Sequence, residues 1–207
     1  MDGTYFVAEI TGPWQYRHEG GHIRPDIVNF RPARIVRVGL ADAVPGSICS
    51  AFVPARTLQK IARPGMEEFS AACVGRDVPS IAGADLFGFL SPTDIENLVA
   101  VYLQTLGWLI IPGSRRADTP HYEYVLVNSA TGERAIAQVK SGAVPIDAGA
   151  FAGELKVFLF AASGAYGGDV PINVRVLARA ELEKFIRARP ELLPRAVSTW
   201  MEAIGWS

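Results

Sequence analysis

Residues 122–142, YEYVLVNSATGERAIAQVKSG, admit few folds other than a β-hairpin. An alternating apolar run leads into a polar cluster centred on Thr131–Gly132, and a second short apolar run follows. A hairpin symmetric about that pair sets Glu123 opposite Lys140 and Val125 opposite Gln138. Side chains two apart on a strand share a face, so Glu123, Gln138 and Lys140 are expected together. A slip of one residue would turn them to the other face. An exposed Glu–Lys pair across a hairpin is common and contributes only about 0.2–1 kcal/mol. The same residues, joined by a second carboxylate, form the set that phosphodiester hydrolysis needs. Carboxylates hold a divalent cation, the cation activates water, and a lysine stabilises charge.

The second carboxylate is found just upstream. Ser91 is a good N-cap, Pro92 suits the first helical position, and Asp94 stands where a capping-box acid belongs. Apolar residues then recur at Ile95, Leu98, Val99, Tyr102, Leu103 and Leu106, which predicts an amphipathic helix ended by Gly107. Glu96 lies at the margin of that stripe and can approach Glu123 if the helix packs on the sheet. WLII (108–111) predicts a short buried strand. After the hairpin, DAGAFAGEL (147–155) predicts a small-residue helix. KVFLFAA (156–162) and INVRVLA (172–178) predict strands, and RAELEKFIRA and PRAVSTWMEAIG predict two final helices. This order implies an α/β unit over 91–207 with a mixed central sheet flanked by helices.

The first 64 residues read differently. TYFVAEI (4–10), RIVRVGL (34–40) and ICSAFV (48–53) are rich in β-formers, and Gly/Pro pairs punctuate them. A helical turn is expected at ARTLQKIA (55–62). The expectation is a small, mostly β, barrel-like domain over 1–64. Residues 65–90 lose periodicity and read as a linker.

Net charge is −1, which argues against a broad nucleic-acid coat. The distribution is uneven: residues 1–64 carry eight Lys/Arg against five Asp/Glu, and 65–207 carry twelve against sixteen. The basic residues of the first part are nearly all arginines, whose forked donors suit phosphate. No run of 18 or more apolar residues occurs, so no membrane span is expected. MDGTYFVAEITG lacks the basic-then-apolar order of a secretory signal, and two free cysteines fit a cytoplasmic protein.

The stretch 91–162 resembles the core of the PD-(D/E)xK nuclease superfamily, in particular its Mrr-like restriction endonuclease branch. The matching pieces are the acid-bearing helix DIENLVAVYLQTLGW, the strand HYEYVLV and the strand AIAQVKSG ending in Q-x-K. The resemblance implies a restriction-endonuclease-like fold and Mg²⁺ (or Mn²⁺) as cofactor. It implies Glu123 as the central metal-binding acid, Gln138 and Lys140 as the catalytic pair, and Glu96 as the acid of the first helix. The chain also departs from the pattern. RRADTPHYEYV offers Asp118 beside Glu123 without the usual Gly-Asp turn, and Gln138 removes one metal-binding charge. Segments YFVAEITGPWQYR and IVNFRPARIVRV are similar to the PUA/EVE-like domains fused to such nucleases, which implies recognition of modified bases.

DNA contacts are accordingly expected from Arg115, Arg116 and Ser141 beside the site. Trp14, Tyr16 and Arg17 are expected to contact it from a loop where aromatics stack a base and arginine holds phosphate. The expected function is a metal-dependent DNA endonuclease of restriction or defence type acting on foreign or modified DNA. A double-strand cut implies a homodimer, because one such site hydrolyses one strand. The alternative is a non-cleaving nucleic-acid-binding protein that keeps a nuclease-like fold. His18, His22 and His121 are more simply read as loop histidines.

Overall fold

The computed structural model describes residues 3–16, 29–51, 60–62, 65–76, 83–114 and 122–206. The elements in chain order are β1 (Tyr5–Ile10), β2 (Gln15–Tyr16), β3 (Asn29–Phe30), β4 (Ala33–Gly39), α1 (Gly46–Ala51), α2 (Met66–Cys73), α3 (Leu86–Phe89) and α4 (Pro92–Thr105). Then come β5 (Trp108–Ile110), β6 (Tyr124–Asn128), β7 (Arg134–Lys140), β8 (Ile146–Asp147), a 3-10 turn (Ala148–Phe151), β9 (Lys156–Ala161), β10 (Tyr166–Gly167), β11 (Val174–Val176), α5 (Arg179–Ala188) and α6 (Arg195–Ile204).

A five-stranded mixed sheet, in the order β11-β9-β7-β6-β5, is flanked by helices. β5, β6 and β7 pair antiparallel, while β7, β9 and β11 pair parallel. One face of the sheet carries Tyr124, Leu126, Ala135, Ala137, Val139, Phe158 and Phe160 into the larger core cluster, shared with α4, α5 and α6. The other face carries Val157, Leu159, Ala161 and Val174 into a smaller cluster that Ile146 and Ala148 cover.

The helix α4 forms as its sequence dictates. Ser91 Oγ accepts from Asp94 N at 3.2 Å, and the Asp94 carboxylate accepts from Ser91 N at 2.9 Å. This reciprocal cap satisfies two donors at the helix start. Ile95, Leu98, Val99, Tyr102 and Leu103 are buried. Leu106 is instead the C-cap and exposed, and Gly107 follows in the left-handed region at φ 83°. α5 covers RAELEKFIRA as expected.

Four local expectations change. Residues 46–51 form helix α1 rather than a strand at 48–53, because tertiary contacts override β-propensity here. Gly46 N donates to the Asp94 carboxylate at 3.1–3.2 Å, and Ile48 and Cys49 pack on the larger cluster. DAGAFAGEL forms β8 and a 3-10 turn rather than a helix. Asp147 Oδ1 accepts from Gly149 N at 3.0 Å, and the glycines weaken any helix. β5 is an edge strand with Trp108 buried and Leu109 exposed, so it is not buried throughout. The described residues of 65–90, read as a linker, include α2 and α3, and Met66, Phe69, Leu86 and Phe87 are buried in the larger cluster. At the N-terminal end β1 pairs with β4 and β2 with β3, and among the described residues each of these ladders has two strands. The segment 55–59 of the expected helical turn lies outside the described residues.

Candidate active site

The hairpin register is offset by two residues from the symmetric expectation. Tyr124 lies opposite Ala137 and Val125 opposite Ile136. The cause is Asn128, whose Oδ1 accepts from Ala130 N at 3.0 Å and Thr131 N at 3.1 Å. That Asx turn pulls the loop one position toward the N-terminus, and Gly132, at φ 71°, closes it. An offset of two leaves every side chain on its face, because the strand period is two.

Glu123, Gln138 and Lys140 therefore share the face that carries the smaller cluster. Gln138 and Lys140 are paired on β9 with Leu159 and Ala161, both members of that cluster. Glu123 N donates to Ala137 O at 2.8 Å, which extends the ladder by one position past β6. Gln138 Nε2 donates to Glu123 Oε1 at 3.2 Å. Lys140 is the last residue of β7 and is exposed, while Ser141, half-buried, follows it.

Gln138 is only 3% exposed, and its Oε1 is buried with no hydrogen-bond partner. Its orientation is fixed: Nε2 faces two acceptors, Glu123 Oε1 and, at 3.4 Å, the Val139 carbonyl. Turning the amide would aim oxygen at oxygen. A buried acceptor without a donor or cation costs about 1–3 kcal/mol. As placed, the amide turns its nitrogen and not its oxygen to the Glu123 carboxylate. With the amide turned, a cation between the two oxygens would offset their repulsion, and such a hard-oxygen pair is of the kind Mg²⁺ or Mn²⁺ takes. Among the described residues no group of three His, Cys, Asp or Glu gathers. An ion here would be held by Glu123, Gln138 and water.

Glu96, expected to approach Glu123, lies instead on the opposite side of the sheet from Glu123, Gln138 and Lys140. It lies on α4, and its backbone carbonyl accepts from the Tyr124 hydroxyl at 3.4 Å, next to Glu123. Arg115, Arg116, Asp118 and His121 lie outside the described residues, as do Arg17, His18 and His22. Trp14 and Tyr16 are 61% and 56% exposed, with ring centroids 6.4 Å apart and planes tilted by 31°.

Two residues with no motif to flag them hold the end of β7. Ala162 N donates to Lys140 O at 2.8 Å, and Ala162 O accepts from Arg179 Nη1 at 3.1 Å. Arg179 is itself fixed by Asp85, by Glu183 at 3.1 Å and by the Phe87 ring at 4.7 Å. Tyr166 Oη accepts from Ala161 N at 2.8 Å and donates to Leu177 O at 3.3 Å. Burial pushes its phenol above the ordinary value, against the Ala161 N–H, so the hydroxyl keeps the proton it donates. An arginine opening a helix and a tyrosine before a pair of glycines are too common to be singled out from sequence.

Compared with models of known protein families, with curated proteins and with solved structures, the chain matches none of them.

Proposed function

We propose that this chain is a divalent-metal-dependent endonuclease of the restriction-endonuclease-like kind, acting on DNA in the cytoplasm as part of defence against foreign or modified DNA. The observation that carries the reading is the buried Gln138 amide, oriented by Glu123 with its own oxygen unpartnered, two residues before an exposed lysine on the same sheet face. The mixed sheet, with β6 and β7 antiparallel and β9 parallel to β7, is compatible with that fold.

In this reading Glu123 and Gln138 hold Mg²⁺ or Mn²⁺, with Asp118 as a further candidate, while Glu96 stands across the sheet from them. When bound, such an ion polarises a phosphodiester and makes a bound water more acidic. Lys140 sets its ammonium against the reacting phosphate, and the sheet holds all three side chains in register. Arg115, Arg116 and Ser141 lie near enough in sequence to grip the DNA backbone, while Trp14, Tyr16 and Arg17 serve base recognition by an N-terminal PUA/EVE-like reader. Two copies are needed for a double-strand cut.

The test is incubation of the full chain with methylated and unmethylated plasmid in Mg²⁺, Mn²⁺ or EDTA. Nicked or linear product in metal and none in EDTA is expected. Intact plasmid in every condition, together with salt-sensitive retention of the DNA, would replace the nuclease by the non-cleaving binder.

A further inference from the structure

Two arginines from distant parts of the chain line one cavity of about 210 Å³. Arg37 comes from β4 and Arg195 from the first turn of α6. Val38 and Phe69 give the cavity an apolar floor, and Cys73 and Thr199 complete its polar wall. Among the described residues no Asp or Glu lines it. Among the described residues neither guanidinium is ion-paired or hydrogen-bonded. Arg34, Arg76, Arg175, Arg179 and Arg189, by contrast, each meet a carboxylate. Both arginines are exposed. Two like charges lining one concavity without a counter-charge favour an anion between them, an effect that solvent and salt screen.

We propose that this cavity binds a phosphate group, carried by a small phosphorylated ligand or by a nucleic-acid strand, between Arg37 and Arg195. Guanidinium forks match phosphate oxygens and give short, charge-assisted hydrogen bonds. Among the described lining residues no acid competes for them. Burial pushes the Cys73 thiol above its ordinary value, so no thiolate stands in as counter-ion. Thr199 Oγ1 donates to Arg195 O at 2.9 Å, so its proton is committed to the helix and the arginines are the strong donors. The apolar floor takes the carbon skeleton next to the phosphate. The cavity shares no residue with Glu123, Gln138 or Lys140, so the proposal stands whether or not the chain cuts DNA.

Cys73 supplies a local readout, with Cys49, which does not line the cavity, as internal reference. The full chain in EDTA is alkylated with iodoacetamide, and each cysteine is followed by mass spectrometry. The probes are inorganic phosphate, adenosine monophosphate and a short single-stranded oligonucleotide, against sodium chloride at equal ionic strength. Phosphate-bearing probes are expected to slow alkylation of Cys73 but not of Cys49. Arg37→Gln and Arg195→Gln should each weaken that protection roughly tenfold. Lys variants should recover part of it. Protection by the mononucleotide at lower phosphate concentration than the oligonucleotide identifies a small ligand, and the reverse order identifies a strand. No protection of Cys73 by any probe overturns the site, as does protection that survives Arg37→Gln with Arg195→Gln. If a variant fails to fold by circular dichroism, the wild-type comparison of phosphate with chloride decides alone.

Discussion

Gln138 Nε2 lies 3.2 Å from Glu123 Oε1, and this one contact decides which way a buried amide faces. The amide oxygen is left turned into the protein with nothing to accept from. A side chain kept for stability alone would be better replaced by one without that oxygen. Gln138→Met is therefore expected to leave the stability of the metal-free chain within about 1 kcal/mol of wild type, because relief of the orphaned acceptor offsets the lost hydrogen bond. It should also abolish any rise in melting temperature on adding Mg²⁺ or Mn²⁺. A loss of several kcal/mol with the metal response intact would make the amide structural.

Lys140 and Glu123 should separate binding from turnover. Lys140→Ala removes an ammonium and leaves the oxygens, so calorimetric binding of Mn²⁺ should persist while DNA cleavage falls on the order of a hundredfold. Glu123→Ala should lose both together. An active chain indifferent to both changes would have its site elsewhere.

Gly46→Ala probes the joint between α1 and α4. A Cβ at Gly46 would stand 2.9 Å from Asp94 Oδ1 and crowd Ser91 Oγ as well. The capping box must then shift or α1 must lift. We expect a loss of about 1–3 kcal/mol in urea denaturation, with far-UV circular dichroism unchanged at low denaturant. Wild-type stability would mean that α1 moves without resistance.

Glu9 gives the acid edge of the stability profile. The hydrogen bond from Arg34, then that from Arg76, holds its carboxyl below the ordinary 4.5. An acid depressed in the fold contributes stability above its unfolded value and loses it as pH falls through the folded one. Urea midpoints should drop as pH falls below about 4.5, and Glu9→Gln should flatten part of that slope. Parallel curves for the two proteins would show that the arginine pair does not favour the charged form.

Tyr102 gives the alkaline edge. Burial, then its hydrogen bond to Glu181, pushes the phenol up from 10.0 to about 12. The neutral form is favoured in the fold, so this contribution is complete below the unfolded value and disappears as pH rises through the folded one. Tyr102→Phe should remove that part of the decline between about pH 10 and about pH 12. Tyrosinate absorbance in the wild type should show a late-ionising group that Tyr102→Phe lacks. If no late group is seen, the hydroxyl is not shielded.

The sequence was most readable where signals are local. Ser91, Pro92 and Asp94 mark the start of α4 because a cap is made by residues three apart, and the all-apolar run at 157–161 marks a strand covered on both faces. α1 was not readable, since Ile48 and Cys49 favour strands until the Asp94 carboxylate draws the Gly46 N–H to it. The shared face of Glu123, Gln138 and Lys140 follows from parity alone, and parity survived the register offset that Asn128 imposes. The direction of the Gln138 amide and the meeting of Arg37 with Arg195 belong to packing between distant segments, which periodicity does not encode.

The position of β7 has a consequence for backbone exchange with solvent. It is the middle strand of five, bonded to β6 on one side and β9 on the other. Its amides should be among the last in the molecule to take up deuterium, because no opening short of breaking the sheet frees them. Yet this strand delivers an exposed ammonium at its last residue. Lys140 is thus a charge that meets solvent on a backbone that does not move with it, and whatever it contacts meets a fixed point rather than a tether.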